Sequence, residues 1–151
     1  MTERTVWGIL EQQQIESVKD SALRETSGSE IDRLSPTALA YVGDAVYELY
    51  MRTRYLLPPK RISVYHQKVV AQVRAESQAR QLRSLEAHLS EEEQMMVRRG
   101  RNAATRCPNR LPREIYQQAT SLETLIGYLY LKDPQRLHQL WEYLDLDSPE
   151  I

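Results

Sequence analysis

Asp44, Glu48 and Glu123 are the residues of this chain whose types and spacing best suit chemistry. Asp44 and Glu48 lie in LSPTALAYVGDAVYELYMR (34–52), the most apolar run of the sequence. Glu123 lies in a second such run, QQATSLETLIGYLYL (117–131). Gly43 directly precedes Asp44, and Gly127 follows Glu123 by one helical turn. A glycine in a helix interior costs roughly 1 kcal/mol against alanine, so its presence usually marks a close approach. Asp44 and Glu48, four apart, share one helix face, and Thr120, Glu123 and Gly127 share another at spacings of three and four. Two such helices packed together could bring their carboxylates around one divalent cation. Magnesium is a hard ion that prefers oxygen ligands, and phosphodiester hydrolysis uses such ions to make the nucleophile and stabilise the leaving oxygen. The competing reading pairs each acid with an arginine.

Other chemistries have less support. His66, His88 and His138 are too far apart to form a helical metal-binding pair. Cys107 is the single cysteine, which excludes an internal disulfide and a multi-cysteine zinc site. It lies in a basic stretch where a thiol pKa can fall, but no partner for it can be named. There is no glycine-rich phosphate loop and no dinucleotide fingerprint. Of the nine tyrosines, Tyr41, Tyr47, Tyr50, Tyr128 and Tyr130 belong to the two acidic helices, where packing explains them better than base stacking.

The elements that must position these acids are helices. No segment alternates like a strand. Ser35 reads as an N-cap with Pro36 at the first helical position, and Leu39, Val42, Val46, Leu49 and Leu56 follow at mostly helical spacings. Pro58-Pro59 ends that helix. A short turn near Ile62 and one longer helix from about His66 to Leu85 come next, through Val69, Val73 and Leu82. Ser90 and Glu93 form a capping box for a helix that runs into a basic loop, VRRGRNAATRCPNRLPRE (97–114). Pro112 opens the helix carrying Glu123, and Asp133-Pro134 opens the last one, striped by Leu137, Leu140, Trp141 and Leu144. The expected organisation is one domain over residues 34–146. A polar leader precedes it at 1–33, with a possible short helix near Val6–Ile15, and a short acidic tail follows at 147–151.

At 151 residues with 41% hydrophobic content, the chain can bury a core. No run approaches the roughly 20 apolar residues of a membrane span, and the N-terminus lacks the apolar core of a signal peptide. The expectation is a soluble cytoplasmic protein without a membrane partner. The net charge of −1 conceals a partition. Residues 52–113 carry 14 Lys/Arg against 5 Asp/Glu, a net +9, and the segments on either side are each −5. Sixteen of the twenty cations are arginines, which suit bidentate phosphate contacts. Such a basic midsection points to a polyanion, unless it is only a solvated face balanced by its flanks.

These residues resemble a known family. AYVGDAVYELYMR is similar to the signature helix of ribonuclease III domains, and ATSLETLIGYLYL to their second acidic helix. RRGRNA (98–103) resembles the basic motif of the short bacterial subfamily, the Mini-ribonuclease III type, which lacks a double-stranded-RNA-binding domain. The likeness runs from about Leu34 to Leu144, with three motifs in order. It implies an all-α, ribonuclease III endonuclease domain-like helical bundle. It also implies a magnesium-dependent endoribonuclease in which Asp44 and Glu123 hold the Mg2+, with Glu48 as an outer-shell residue. Ordinary ribonuclease III carries further acids where this chain has Ala40 and Thr120, and the Mini type resembles this chain in both losses. The resemblance further implies a homodimer cutting double-stranded RNA, each site taking one strand and leaving a 5′ phosphate and a 3′ hydroxyl. Its substrate would be the stalk of 23S ribosomal RNA precursors, in ribosome biogenesis, with a ribosomal protein as a possible helper. Arg98, Arg99, Arg101 and Asn102 are the first candidates for RNA contact, with Lys68 and Arg74 behind them. Two alternatives stay open. One is a non-catalytic RNA-binding module, favoured by Ala40 and Thr120. The other is a helical interaction domain whose acids pair with arginines.

Overall fold

Ser35 opens the first long helix as expected: its hydroxyl accepts from the Ala38 N–H at 3.1 Å, and Pro36 occupies the first turn. The computed structural model of the protein describes residues 28–146, so the expected Val6–Ile15 helix and the 147–151 tail lie outside the described residues. Seven α-helices follow in order among these residues: α1 (Gly28–Asp32), α2 (Pro36–Arg54), α3 (Ile62–Val73), α4 (Ala75–Leu85), α5 (Glu91–Ala103), α6 (Arg113–Lys132) and α7 (Pro134–Trp141). A 3-10 turn at Glu86–His88 joins α4 to α5, and no strand occurs among the described residues. The fold is all-α.

The helix α6 is the centre of the molecule. From Ala119 to Leu131 it is buried at almost every position, including Leu122, Leu125, Ile126 and Leu129. A helix apolar all round is one surrounded by others, and α2, α4 and α5 pack around it. Its buried hydroxyls return to the helix backbone. Ser121 donates to the Gln117 carbonyl and Thr124 to the Thr120 carbonyl, both at 2.8 Å. At the chain ends of the bundle, Lys132 bonds Asp32 at 2.7 Å and the Tyr128 hydroxyl reaches Glu92, tying α1, α5 and α6 together. Ile31 of α1 is buried in the core, so packing begins before residue 34.

Two boundaries differ from the sequence reading. The single helix expected from His66 to Leu85 is two, broken at Arg74, whose ψ of 156° is extended. A continuous helix would pair the carbonyls of Ala71 and Gln72 with the N–H groups of residues 75 and 76. Side chains take over instead: Ser77 donates to Ala71, and the buried Tyr47 hydroxyl donates to Gln72 at 2.9 Å. Second, the stretch expected as a basic loop from 97 remains helical through Ala103. Gly100 does not break it, because that glycine faces α6. A Cβ there would lie 2.5 Å from the Thr124 hydroxyl oxygen and 3.0 Å from the Ser121 Cα. The capping box of Ser90 and Glu93 is present, and Glu93 also binds Arg136 of α7 at 2.9 Å.

Candidate active site

The helices α2 and α6 cross in close backbone contact at two glycines. A Cβ on Gly43 would lie 1.7 Å from the Glu123 carbonyl oxygen, and one on Gly127 would lie 1.9 Å from the Leu39 carbonyl oxygen. Only the absence of both side chains lets the backbones meet. Because Asp44 follows Gly43 directly, that contact sets Asp44 and Glu123 at the same crossing. The two acids of the two apolar helices are thus brought together.

Their surroundings differ. Asp44 is exposed, whereas the sequence reading sets it within the apolar run; the buried residue is Gly43. Partial burial of its carboxyl, followed by the charge of Glu48, still raises its pKa. Glu123 is largely enclosed. Burial first, and then the charge of Asp44, push its carboxyl up to about 7, and a hydrogen bond from Gln78 opposes the rise. Two carboxylates held together in partly dry surroundings resist ionising side by side. Glu48, one turn beyond Asp44, is paired with Arg52 at 2.8 Å.

This donor set fits a magnesium-like ion. It is all oxygen, its two acids repel one another, and a dication relieves that repulsion. Among the described residues no group of three or more His, Cys, Asp or Glu side chains forms a metal cluster. A two-carboxylate site suits an ion that keeps several waters and takes further oxygens from a phosphate substrate.

The basic candidates fall on neighbouring elements. Arg98, Arg101 and Asn102 are exposed on the last turns of α5. Arg99 is half-buried, and its guanidinium donates to the Leu34 carbonyl at 3.3 Å and to Met96 Sδ at 3.5 Å. Lys68 is half-buried on α3, and the exposed Arg74 occupies the break before α4, its Nε 3.4 Å from the Ala71 carbonyl. Gly100, between Arg99 and Arg101, rests on Ser121 and Thr124, the near neighbours of Glu123. The motif is therefore anchored beside the acid pair through α6. Sequence reasoning missed Gln78, a residue only 2% exposed that opposes the rise of the Glu123 pKa. Nothing in AESQARQLRSL distinguishes it from a solvent-facing glutamine.

The chain is similar to several known proteins. Residues 37–134 match the Ribonuclease III domain family. The Mini-ribonuclease 3 of a Synechocystis strain is 52% identical over 126 residues, covering 83% of this chain and 88% of the relative. That of a Synechococcus strain is 57% identical over 121 residues, covering 80% and 88%. A crystal structure of a Fusobacterium nucleatum protein matches with a TM-score of 0.68 at 31% identity, covering 75% of this chain and 93% of that one.

Proposed function

The chain belongs to the Mini-ribonuclease III branch of the ribonuclease III family and is an endoribonuclease, and on that footing we propose that Asp44 and Glu123 are its catalytic carboxylates, holding Mg2+ for the hydrolysis of double-stranded RNA. The observation that carries this is the glycine crossing, which sets Asp44 beside a Glu123 whose pKa stands near 7. When bound, the ion supplies neutralisation of the phosphate charge and activation of water. The chain's own residues do the rest. Asp44 offers oxygens on the open side of α2, and Glu123 offers its own from the enclosed side of α6. Glu48, kept in place by Arg52, adds negative potential from the outer shell. Arg98, Arg101 and Asn102 meet the RNA backbone, with Lys68 and Arg74 behind them. Arg99 serves the same surface by fixing the end of α5 to Leu34. Duplex RNA is recognised mainly through shape, phosphates and 2′-hydroxyls, which a short arginine-rich helix end can reach.

We infer further that the enzyme acts as a homodimer, leaves 5′ phosphate and 3′ hydroxyl ends, and matures the stalk of 23S ribosomal RNA precursors in the cytoplasm, where a ribosomal protein could aid substrate capture. An apolar stripe on the outer face of α2 supports the dimer: Tyr41, Ala45 and Leu49 are all exposed, Tyr41 to 85%. Incubation with a duplex RNA stalk, with and without Mg2+ and beside Asp44→Asn, tests the site. Cutting should require Mg2+ and fall at least about 100-fold in the variant, the scale of losing a group that acts on the transition state. Unchanged cutting by Asp44→Asn would overturn the assignment.

A further inference from the structure

The basic residues at the end of α5 are neighbours in sequence but divide between two faces. Arg98, Arg101 and Asn102, at spacings of three and four, lie together on an exposed face. Neither Arg98 nor Arg101 makes an ion pair among the described residues. Arg99 turns the other way. It is half-buried, and its guanidinium fork spans two partners within the protein. One nitrogen donates to the Leu34 carbonyl at 3.3 Å and the other to Met96 Sδ at 3.5 Å. Gly100, beside it, faces α6, where an added Cβ would lie 2.5 Å from the Thr124 hydroxyl oxygen.

Both inward contacts lead to the helices of the acid pair. Leu34 directly precedes Ser35, the cap of α2, and α2 carries Asp44. Thr124 follows Glu123 on α6, and its hydroxyl also donates to the Pro36 carbonyl at 3.4 Å. The last turn of α5 is thus tied to the start of α2 by Arg99 and to α6 by Gly100. It needs such ties, because α5 stops at Ala103 and helix ends fray. We propose that Arg99 is a positioning residue that fixes which phosphodiester of the duplex is cut: it sets the offset between the RNA-holding face of α5 and the carboxylates Asp44 and Glu123. The proposal rests on those two acids being catalytic and on Arg98, Arg101 and Asn102 meeting the RNA. A misplacement of about 1 Å at a reacting centre can cost on the order of 100-fold in rate, so one lost tie has a large effect without any lost RNA contact.

The test compares full-length wild type, Arg99→Met, Arg99→Lys and Arg98→Met on an end-labelled RNA duplex that the wild type cuts at a defined position. Methionine keeps an apolar stem and removes the guanidinium. Lysine keeps the charge as a single point and loses the fork. In EDTA, Arg98→Met should bind the duplex more weakly, and its slope of log affinity against log salt should shrink by about one, as for a lost phosphate contact. Both Arg99 variants should keep the wild-type slope and a melting temperature near that of wild type. With Mg2+ their kcat should fall about 10- to 100-fold at a KM close to wild type, and their cuts should spread to the flanking phosphodiesters. A slope that shrinks by about one in Arg99→Met, with the wild-type cut kept by Arg99→Lys, would make Arg99 an RNA contact and overturn the proposal. Wild-type kcat and cut position in both variants would overturn it as well. If Arg99→Met does not fold, Arg99→Lys carries the same expectation. Cleavage that falls only with the folded fraction, still at the wild-type position, would make Arg99 a packing residue and reject the proposal. An unchanged slope in Arg98→Met would overturn the RNA-holding face instead, and the cuts of the Arg99 variants would still decide the role of Arg99.

Discussion

Glu123 is an acid held against its preference, and this has a measurable consequence in the absence of metal. Its pKa of about 7 in the folded chain lies above the ordinary value of 4.5. Between those values the folded protein keeps a proton that the unfolded chain has released, so stability falls as pH rises through that window. The penalty is absent below pH 4.5 and complete above pH 7. Glu123→Gln removes it. In EDTA at pH 8 the variant should be more stable than wild type by on the order of 1–3 kcal/mol, and the difference should close by about pH 4. Urea unfolding at the two pH values measures this, and a variant less stable than wild type at pH 8 would contradict it. Asp44 and Glu123 were legible as sequence because an acid beside a glycine interrupts an apolar helix. Gln78 was not, because a glutamine among AESQARQLRSL looks solvent-facing until α4 docks on α6. The exposure of Asp44 was equally hidden: helical spacing gives the relative faces of Gly43 and Asp44, but not which of the two the partner helix covers.

At the scale of elements, the site depends on how closely α2 and α5 approach α6, and glycine controls both contacts. The two are not equivalent. A Cβ at position 43 would meet backbone, the Glu123 carbonyl oxygen at 1.7 Å and the Gly127 nitrogen at 2.8 Å. At position 100 it would first meet the Thr124 side chain, at 2.5 Å from its hydroxyl oxygen. A side chain yields more readily than a helix backbone. Gly100→Ala should therefore cost about 1–3 kcal/mol, the usual range for overpacking, and Gly43→Ala more than about 3 kcal/mol. Chemical denaturation of both variants gives the order, and equal costs would mean that the α2–α6 crossing relaxes freely. Gly43→Ala should also lose cleavage at temperatures where it remains folded, since parting the helices moves Asp44 from Glu123. The caps at Ser35, Ser90 and Asp133 were legible because they are local. The break at Arg74 was not, because there the hydroxyl of Tyr47, 25 residues before Gln72, donates to the Gln72 carbonyl in place of a helical N–H. The continuation of α5 to Ala103 was hidden for a similar reason: Gly100 serves a tertiary contact rather than a turn.

At the scale of the molecule, the charge partition and the apolar stripe fall largely on different parts of the chain. Residues 52–113, net +9, run from the end of α2 through α3, α4 and α5 to the start of α6. The outer face of α2 carries Tyr41, Ala45 and Leu49 at intervals of four, and Leu56, Leu57 and Ile62 extend exposed apolar surface beyond it. The sequence shows only helical periodicity, in which Leu49 is grouped with Leu39 and Val46. The structure turns Leu39, Tyr47 and Met51 inward and leaves Leu49 half exposed. Exposed apolar side chains on successive turns of one helix can mark an interaction surface, and a two-fold contact would cover them with their own copy. Leu49→Glu tests this without touching the acids or the arginine motif. Wild type should sediment at twice the 17.7 kDa chain mass, and the variant at 17.7 kDa. Helical content should remain, because position 49 lies outside the core. Duplex cleavage should fall most where both strands are cut together, since a monomer brings one site to the substrate. A wild type that sediments at 17.7 kDa at the concentrations where it cleaves would refute the dimer. The stripe on α2 would then need another partner.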